Sequence, residues 1–253
     1  MKLTLILAAV IPALLLLIQV YRADRLEKEP ISMLLGLVLC GIIAAELASL
    51  SEQLGVYLLG LYLQPAIPQP GLGASAFGIP ALVFSGSEAQ LYSILLFFVV
   101  VAVSEEGFKY LLLRLRTWRS RHFNCTFDGV VYAVFLSLGF ALWENIYYVL
   151  QFGLGTALAR AVTAVPGHAC FGVFMGTWYG AAKRRALIGQ FGASRFDRLM
   201  AFLMPTLLHG CYDYIAVSET AELGWLFFPF IAILYLSSLF LVKRLSRNDS
   251  YMA

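Results

Sequence analysis

Two adjacent glutamates, Glu105 and Glu106, precede Lys109 in an otherwise apolar stretch, a set able to exchange protons with water or to hold a cation. Glu105 and Lys109 stand four residues apart with the acid on the N-terminal side, the favourable order for an ion pair on a helix. Glu106 projects about 100° further around the helix, without a counter-ion of its own, which suits a general base working near neutrality. His209 and Asp213 are again four apart, so one helix face presents an imidazole over a carboxylate. Such a pair can orient a histidine tautomer, hold a metal or polarise a carbonyl. His168 follows Pro166-Gly167 and precedes Gly172, Gly176 and Gly180 at steps of four. A neighbouring helix can approach closely along that small-residue stripe, which turns His168 toward the bundle interior. Glu144 and Asn145 complete the set; with no basic residue within a turn, Glu144 must bond across helices, hold a proton or take part in a site.

The elements that must position these groups are membrane spans. Only 33 of 253 residues are Lys, Arg, Asp or Glu (13%), against 60% hydrophobic residues and a mean hydropathy of +0.80. That composition excludes a soluble globular fold, disorder and a disulfide scaffold. Crossing the hydrocarbon core takes roughly 20 mostly apolar residues. Seven runs qualify: residues 3–20, 31–50, 90–113, 129–150, 157–182, 199–217 and 225–242. The expected fold is an all-α polytopic transmembrane helical bundle of about seven spans, one integral membrane domain over residues 1–253. The first run lacks a small-residue cleavage site and reads as a retained helix. Residues 54–63 are too short to span and read as an interfacial or re-entrant piece. Residues 64–89, rich in Pro and Gly, form an outer loop, either a linker or a lid. The four cysteines show no C-x-x-C spacing and read as packing residues.

Fifteen of the 18 basic residues follow the first, third, fifth and seventh runs. Basic loops stay cytoplasmic, so the N-terminus is expected outside and the C-terminus inside. The net charge of +3 then reports topology and contact with the lipid bilayer, and gives no reason to invoke nucleic acid. With these boundaries Glu105 and Glu106 fall toward the cytoplasmic half of the membrane, and Glu144 and Asp213 toward the outer half. A third span reaching about Thr117 would bring them level.

Glu105-Glu106-x-x-Lys109, Asp128-Gly129-x-x-Tyr132, Gly139-Phe140-Ala141-x-x-Glu144-Asn145, the His168 segment and His209-x-x-x-Asp213 together resemble the PrsW family of intramembrane proteases. That family is grouped with type II CAAX prenyl endopeptidases and bacteriocin-processing membrane proteases. The resemblance covers about residues 104–214, the expected catalytic core, with its motifs in order on four successive helices. It implies that Glu105, Glu106, Glu144, His168, His209 and Asp213 are catalytic, with Lys109 and Asn145 in support. It also implies a single-span membrane substrate of the anti-sigma-factor type, cleaved in a signalling cascade in the bacterial cytoplasmic membrane. The prenyl endopeptidases have His where Glu144 stands, so their Glu/His geometry does not carry over.

Two hydrolytic mechanisms suit these residues. In one, which needs no cofactor, Glu105 or Glu106 is the general base, a histidine shares its proton, and the other histidine, oriented by Asp213, stabilises the oxyanion. In the other, Glu106, His168 and His209 bind zinc and leave a position for water. Buried acids and histidines also serve proton-coupled transporters and channels, and a non-catalytic membrane scaffold would share the same spans.

Overall fold

The computed structural model describes residues 2–63, 87–217 and 221–252, and helices dominate it. In chain order they are α1 (Lys2–Ala23), α2 (Ile31–Leu63), α3 (Ser87–Ile94), a π-helical stretch (Leu95–Val101), α4 (Ala102–Thr117), α5 (Asp128–Phe152), α6 (Leu154–Val162), α7 (Ala164–Leu187), α8 (Phe191–Ala216) and α9 (Ala221–Arg247). Six stretches among the described residues are long and apolar enough to cross a membrane. The expected span at residues 199–217 is the C-terminal part of the 26-residue helix α8. It is not among those six, because His209 and Asp213 dilute its apolar character.

Three boundaries differ from the sequence reading. Residues 54–63 are no separate interfacial piece: they continue α2, whose 33 residues reach about 50 Å. The span expected at residues 157–182 is broken at Thr163 into α6 and α7. The third span runs through α3, the π-helical stretch and α4 to Thr117, the extension that levels the acids. Of the expected outer loop, residues 64–86 lie outside the described residues, and residues 87–89 open α3.

Helix α5 is the axis of the bundle, buried along most of its length and flanked by α1, α2 and α7. Dispersion drives helix association in lipid, so close backbone approach is what holds such a bundle. The glycine stripe of α7 does that work against α5: a Cβ at Gly176 would stand 2.4 Å from the Gly129 carbonyl oxygen, and one at Gly180 2.3 Å from that of Thr126. On the opposite flank, Gly139 of α5 meets α2, where a Cβ would stand 2.3 Å from the Val38 carbonyl oxygen.

The segments carrying most of the basic residues meet at one end of the bundle. The α1–α2 turn touches the α4–α5 turn through Asn124 Nδ2 donating to Glu27 (3.1 Å). The C-terminal tail pairs with the latter turn in an isolated antiparallel bridge between Cys125 and Tyr251. Lys183 of α7 donates to the Trp118 carbonyl at 2.8 Å. Asp24 and Glu29 of the α1–α2 turn are buried there, both Asp24 oxygens unpartnered among the described residues. Burial pushes their carboxyls up, Asp24 to about 6 and Glu29 to about 7.

Two consequences can be measured. Gly139→Ala should separate α5 from α2 and lower stability by about 1–3 kcal/mol, seen as a lower Tm in detergent. Gly155→Ala, with nothing within 4 Å of its Cβ, should leave the Tm unchanged. A carboxyl whose pKa is higher folded than unfolded adds stability below its unfolded pKa and loses it as pH rises through the folded value. The Tm should therefore carry a component that falls as pH rises from about 4.5 to about 7. Glu29→Gln should flatten that component.

Candidate active site

Helix α4 supplies Glu105, Glu106 and Lys109, all buried, immediately after the π-helical stretch. A π-helical insertion rotates the register of the helix beyond it. The ammonium of Lys109 lies 2.8 Å from Glu106 Oε1, 3.1 Å from Glu105 Oε2 and 3.1 Å from His168 Nδ1. It also sits 3.8 Å from the centroid of the Phe140 ring, on the negative face of the aromatic. Glu106 is thus not without a counter-ion: three residues along the helix is also within a lysine's reach, and Lys109 serves both acids.

Helix α8 brings His209 against the same pair. Its Nδ1 is 2.9 Å from Glu106 Oε1, and its Nε2 is 3.3 Å from Asp213 and 3.9 Å from Glu105. Both ring nitrogens face carboxylate oxygens, an arrangement satisfied when both carry a proton. Phe171 stacks on this ring at 4.7 Å between centroids, and His168 meets it edge-on at 5.3 Å.

Helix α7 places His168 between the ammonium and α5. Since Lys109 can only donate, Nδ1 accepts and Nε2–H donates to Glu144 Oε2 at 2.9 Å. The network assigns this tautomer. Glu144, without a partner on its own helix, finds a second one in Arg160 of α6, at 2.7 Å. The same guanidinium donates to Asn145 Oδ1 at 3.1 Å, while Asn145 Nδ2 donates to the Ala9 carbonyl of α1 at 2.9 Å. Asn145 therefore ties three helices beneath the site.

All the residues singled out in the sequence converge here: Glu105, Glu106, Lys109, Glu144, Asn145, His168, His209 and Asp213. Two further residues join them that spacing does not flag. Arg160 falls near the outer end of the expected span 157–182 with no partner in its own sequence neighbourhood, and the turn at Gly153 (φ 83°) brings α6 back to Glu144. Glu52 reads as lying beyond the second span, yet it is buried in α2, where the hydroxyl of neighbouring Ser51 meets that of Ser104, next to Glu105, at 2.9 Å. The signal that could have found it is the stripe Gly41, Ala45, Ala48, Glu52 and Val56, one buried face of a continuous helix. Within the cluster the side chain of Asp213 is the most open, at 20% exposure, while Glu105 keeps 6% and Glu106 none.

Two groups of metal-ligating side chains stand out among the described residues. Glu105, Glu106, His168 and His209 each offer a ligand atom within 4.8 Å of the others. Cys125, Asp128 and Asp249 form the second group. There Asp128 accepts from the backbone N–H groups of Asn124 and Cys125 and shapes the α4–α5 turn, while Asp249 accepts from that of Phe127 and fastens the C-terminal tail to it. In the same motif Tyr132 donates to the His122 carbonyl at 2.9 Å.

Residues 29–242 match the model of a family described as PrsW family intramembrane metalloprotease. The chain is 30% identical to Protease PrsW of Oceanobacillus iheyensis over 246 residues, covering 97% of this chain and 98% of the relative. It is 32% identical to Protease PrsW of Geobacillus kaustophilus (95% and 92% covered), and 28% identical to that of Bacillus subtilis (90% and 89% covered). No solved structure matches the chain.

Breaking the Glu144 pair tests how the site is held. Arg160→Met leaves the buried carboxylate with His168 alone and should cost about 3–5 kcal/mol of stability. Adding Glu144→Gln to that variant should restore much of the loss in a double-mutant cycle on Tm. Strictly additive effects would mean that the two side chains do not interact.

Proposed function

Because the chain belongs to the PrsW family of intramembrane metalloproteases, and is therefore a peptidase built into a bacterial membrane, we propose that residues 104–214 hydrolyse a peptide bond at the Glu105–His209 contact. The observation that carries this reading is the convergence of two glutamates, two histidines and one lysine from α4, α7 and α8 inside the membrane-spanning bundle.

Glu105 is the general base. It is the more open of the two glutamates, and its carboxylate lies 3.9 Å from His209 Nε2, leaving both groups pointed at one space. A water there gives its proton to Glu105 as its oxygen attacks the scissile carbonyl. His209, oriented through Nδ1–H by Glu106, turns its Nε2–H from the 3.3 Å contact with Asp213 to the oxyanion that forms. Collapse breaks the C–N bond, and Glu105 returns the proton to the leaving amine. Glu106 accepts from both His209 and Lys109 and fixes their positions. Glu144 and Arg160 hold His168, which in turn holds the ammonium.

The family implies a metal, and the donor set suits one. Imidazole nitrogens and carboxylate oxygens are zinc's ligand types, and Glu106 Oε2 is buried without a hydrogen-bond partner among the described residues. Glu106, His168 and His209 would hold the ion, which when bound would polarise the carbonyl and acidify water. Five carboxyls, Glu52, Glu105, Glu106, Glu144 and Asp213, outnumber the cationic Lys109, Arg160 and His209, a balance that a proton or a divalent ion offsets.

The substrate proposed is a single-span membrane protein of the anti-sigma-factor type. We propose that the end of the bundle where the basic segments gather faces the cytoplasm, with the C-terminus on that side and the N-terminus outside.

Co-expression with single-span membrane proteins tests the assignment. Glu105→Gln and His209→Ala should each lower cleavage by about 10²-fold or more. Glu106→Gln and His168→Ala should do so together with a lower Tm. Full cleavage by all four variants, each inserted at wild-type level, would sink the reading. Exhaustive chelation with metal analysis of the purified protein should abolish cleavage if the ion is required, and leave it intact if the carboxylates act alone.

A further inference from the structure

Where α4 leaves the cluster, an open surface groove runs between it and α8, lined by Tyr110, Leu111, Arg114, Arg195, Arg198 and Phe202, among others. Its two ends differ chemically. Arg114 in the last turn of α4 and Arg195 and Arg198 in the first turns of α8 stand at the basic end of the bundle. None of the three has a carboxylate within 4 Å among the described residues, because Asp197, the acid between them in sequence, is taken by Arg185 at 2.7 Å. Arg198 is steadied by the Ser194 carbonyl and lies over the Trp118 ring, 5.4 Å from its centroid. Toward the site the walls turn apolar, with Leu111 and Leu199 about half exposed.

We propose that this groove binds an anionic glycerophospholipid, its phosphate among Arg114, Arg195 and Arg198 and one acyl chain along Leu111, Leu199 and Phe202. Guanidinium forks match phosphate oxygens in bidentate geometry, and three unneutralised ones at a membrane surface draw anionic headgroups. A phospholipid supplies charge and apolar chain joined in the order the groove presents them. A soluble anion would fill only the arginine end, and an acidic protein segment would leave the apolar walls bare.

The lipid bridges the two helices that carry the glutamates and His209. Arg114 lies eight residues from Glu106, about 12 Å along α4, and Arg198 eleven from His209, about 16 Å along α8. The bound lipid does not touch the cluster; it braces α4 against α8 and sets how closely Glu105 and His209 meet. Binding stands independently of the protease assignment, while this bracing rests on it.

The test uses the full chain in nanodiscs of phosphatidylcholine containing one-tenth phosphatidylglycerol, with lipids retained after extraction counted by native mass spectrometry. Wild type should retain phosphatidylglycerol enriched about fivefold over its bulk share. Arg114→Gln/Arg195→Gln/Arg198→Gln should lower that to the bulk ratio. Leu199→Trp, which fills the groove without altering charge, should lower it as well. Arg119→Gln/Arg121→Gln/Arg184→Gln, outside the groove, should retain the enrichment. Equal losses in both arginine triples would show general surface attraction and overturn the site. So would a rise in Tm with inorganic phosphate alone matching that with phosphatidylglycerol. No lipid preference in wild type, with an acidic substrate peptide bound through the same arginines, would assign the groove to substrate and overturn it too. If binding holds, phosphatidylglycerol should raise the cleavage rate of wild type and not of the groove triple. Enrichment without that rise would overturn the bracing while leaving the binding site.

Discussion

A lysine ammonium with no exposed surface, inside a membrane-spanning bundle, is the constraint around which this protein is arranged. A charge so placed is tolerable only when every proton finds an acceptor. Lys109 finds three, Glu105, Glu106 and His168, and rests on the Phe140 ring. Each acceptor brings an obligation of its own. Glu106 recruits His209, His209 recruits Asp213, and His168 recruits Glu144, which recruits Arg160. The site is one continuous network because leaving any member unpaired would strand a charge in low dielectric.

Such a network demands accurate spacing from the helices that carry it. The bundle achieves this by bringing backbones together where no side chain intervenes. The Gly129, Gly176 and Gly180 contact locks α7 to α5, which sets His168 against Glu144, and the Gly139 contact locks α2 to α5. Gly210, next to His209, lets Phe98 of the π-helical stretch lie directly on α8. Because interior packing is rigid, a shift in any of these crossings would be felt as a change in hydrogen-bond length at the site.

Polar chemistry and lipid contact divide the molecule unevenly. At the cluster, acids outnumber bases and the side chains are buried; at the basic end, arginines face outward and carboxyls are held inside, as Asp24 and Glu29 are. The α4–α8 groove lies between these regimes, and an occupant there touches both helices of the proposed base and oxyanion donor.

Much of this is legible in the residues alone. Intramembrane charges are so unfavourable that Glu105, Glu106, Lys109, Glu144, His209 and Asp213 advertise themselves, and helical periodicity pairs His209 with Asp213 without further knowledge. Local spacing has a limited range, however. It assigns Lys109 to Glu105 and leaves Glu106 and Glu144 alone, whereas the side-chain length of Lys109 and the turn at Gly153 between α5 and α6 supply partners to both. Glu52 escapes because its helix passes through a stretch whose Ser-Glu-Gln sequence resembles a span's end. Composition and spacing dictate which groups must be buried and that they must be paired, since both follow from the free energy of a charge in lipid. Which group pairs with which is settled by the packed bundle, because partners 16, 59 and 103 residues apart meet through helix crossings that no local pattern encodes.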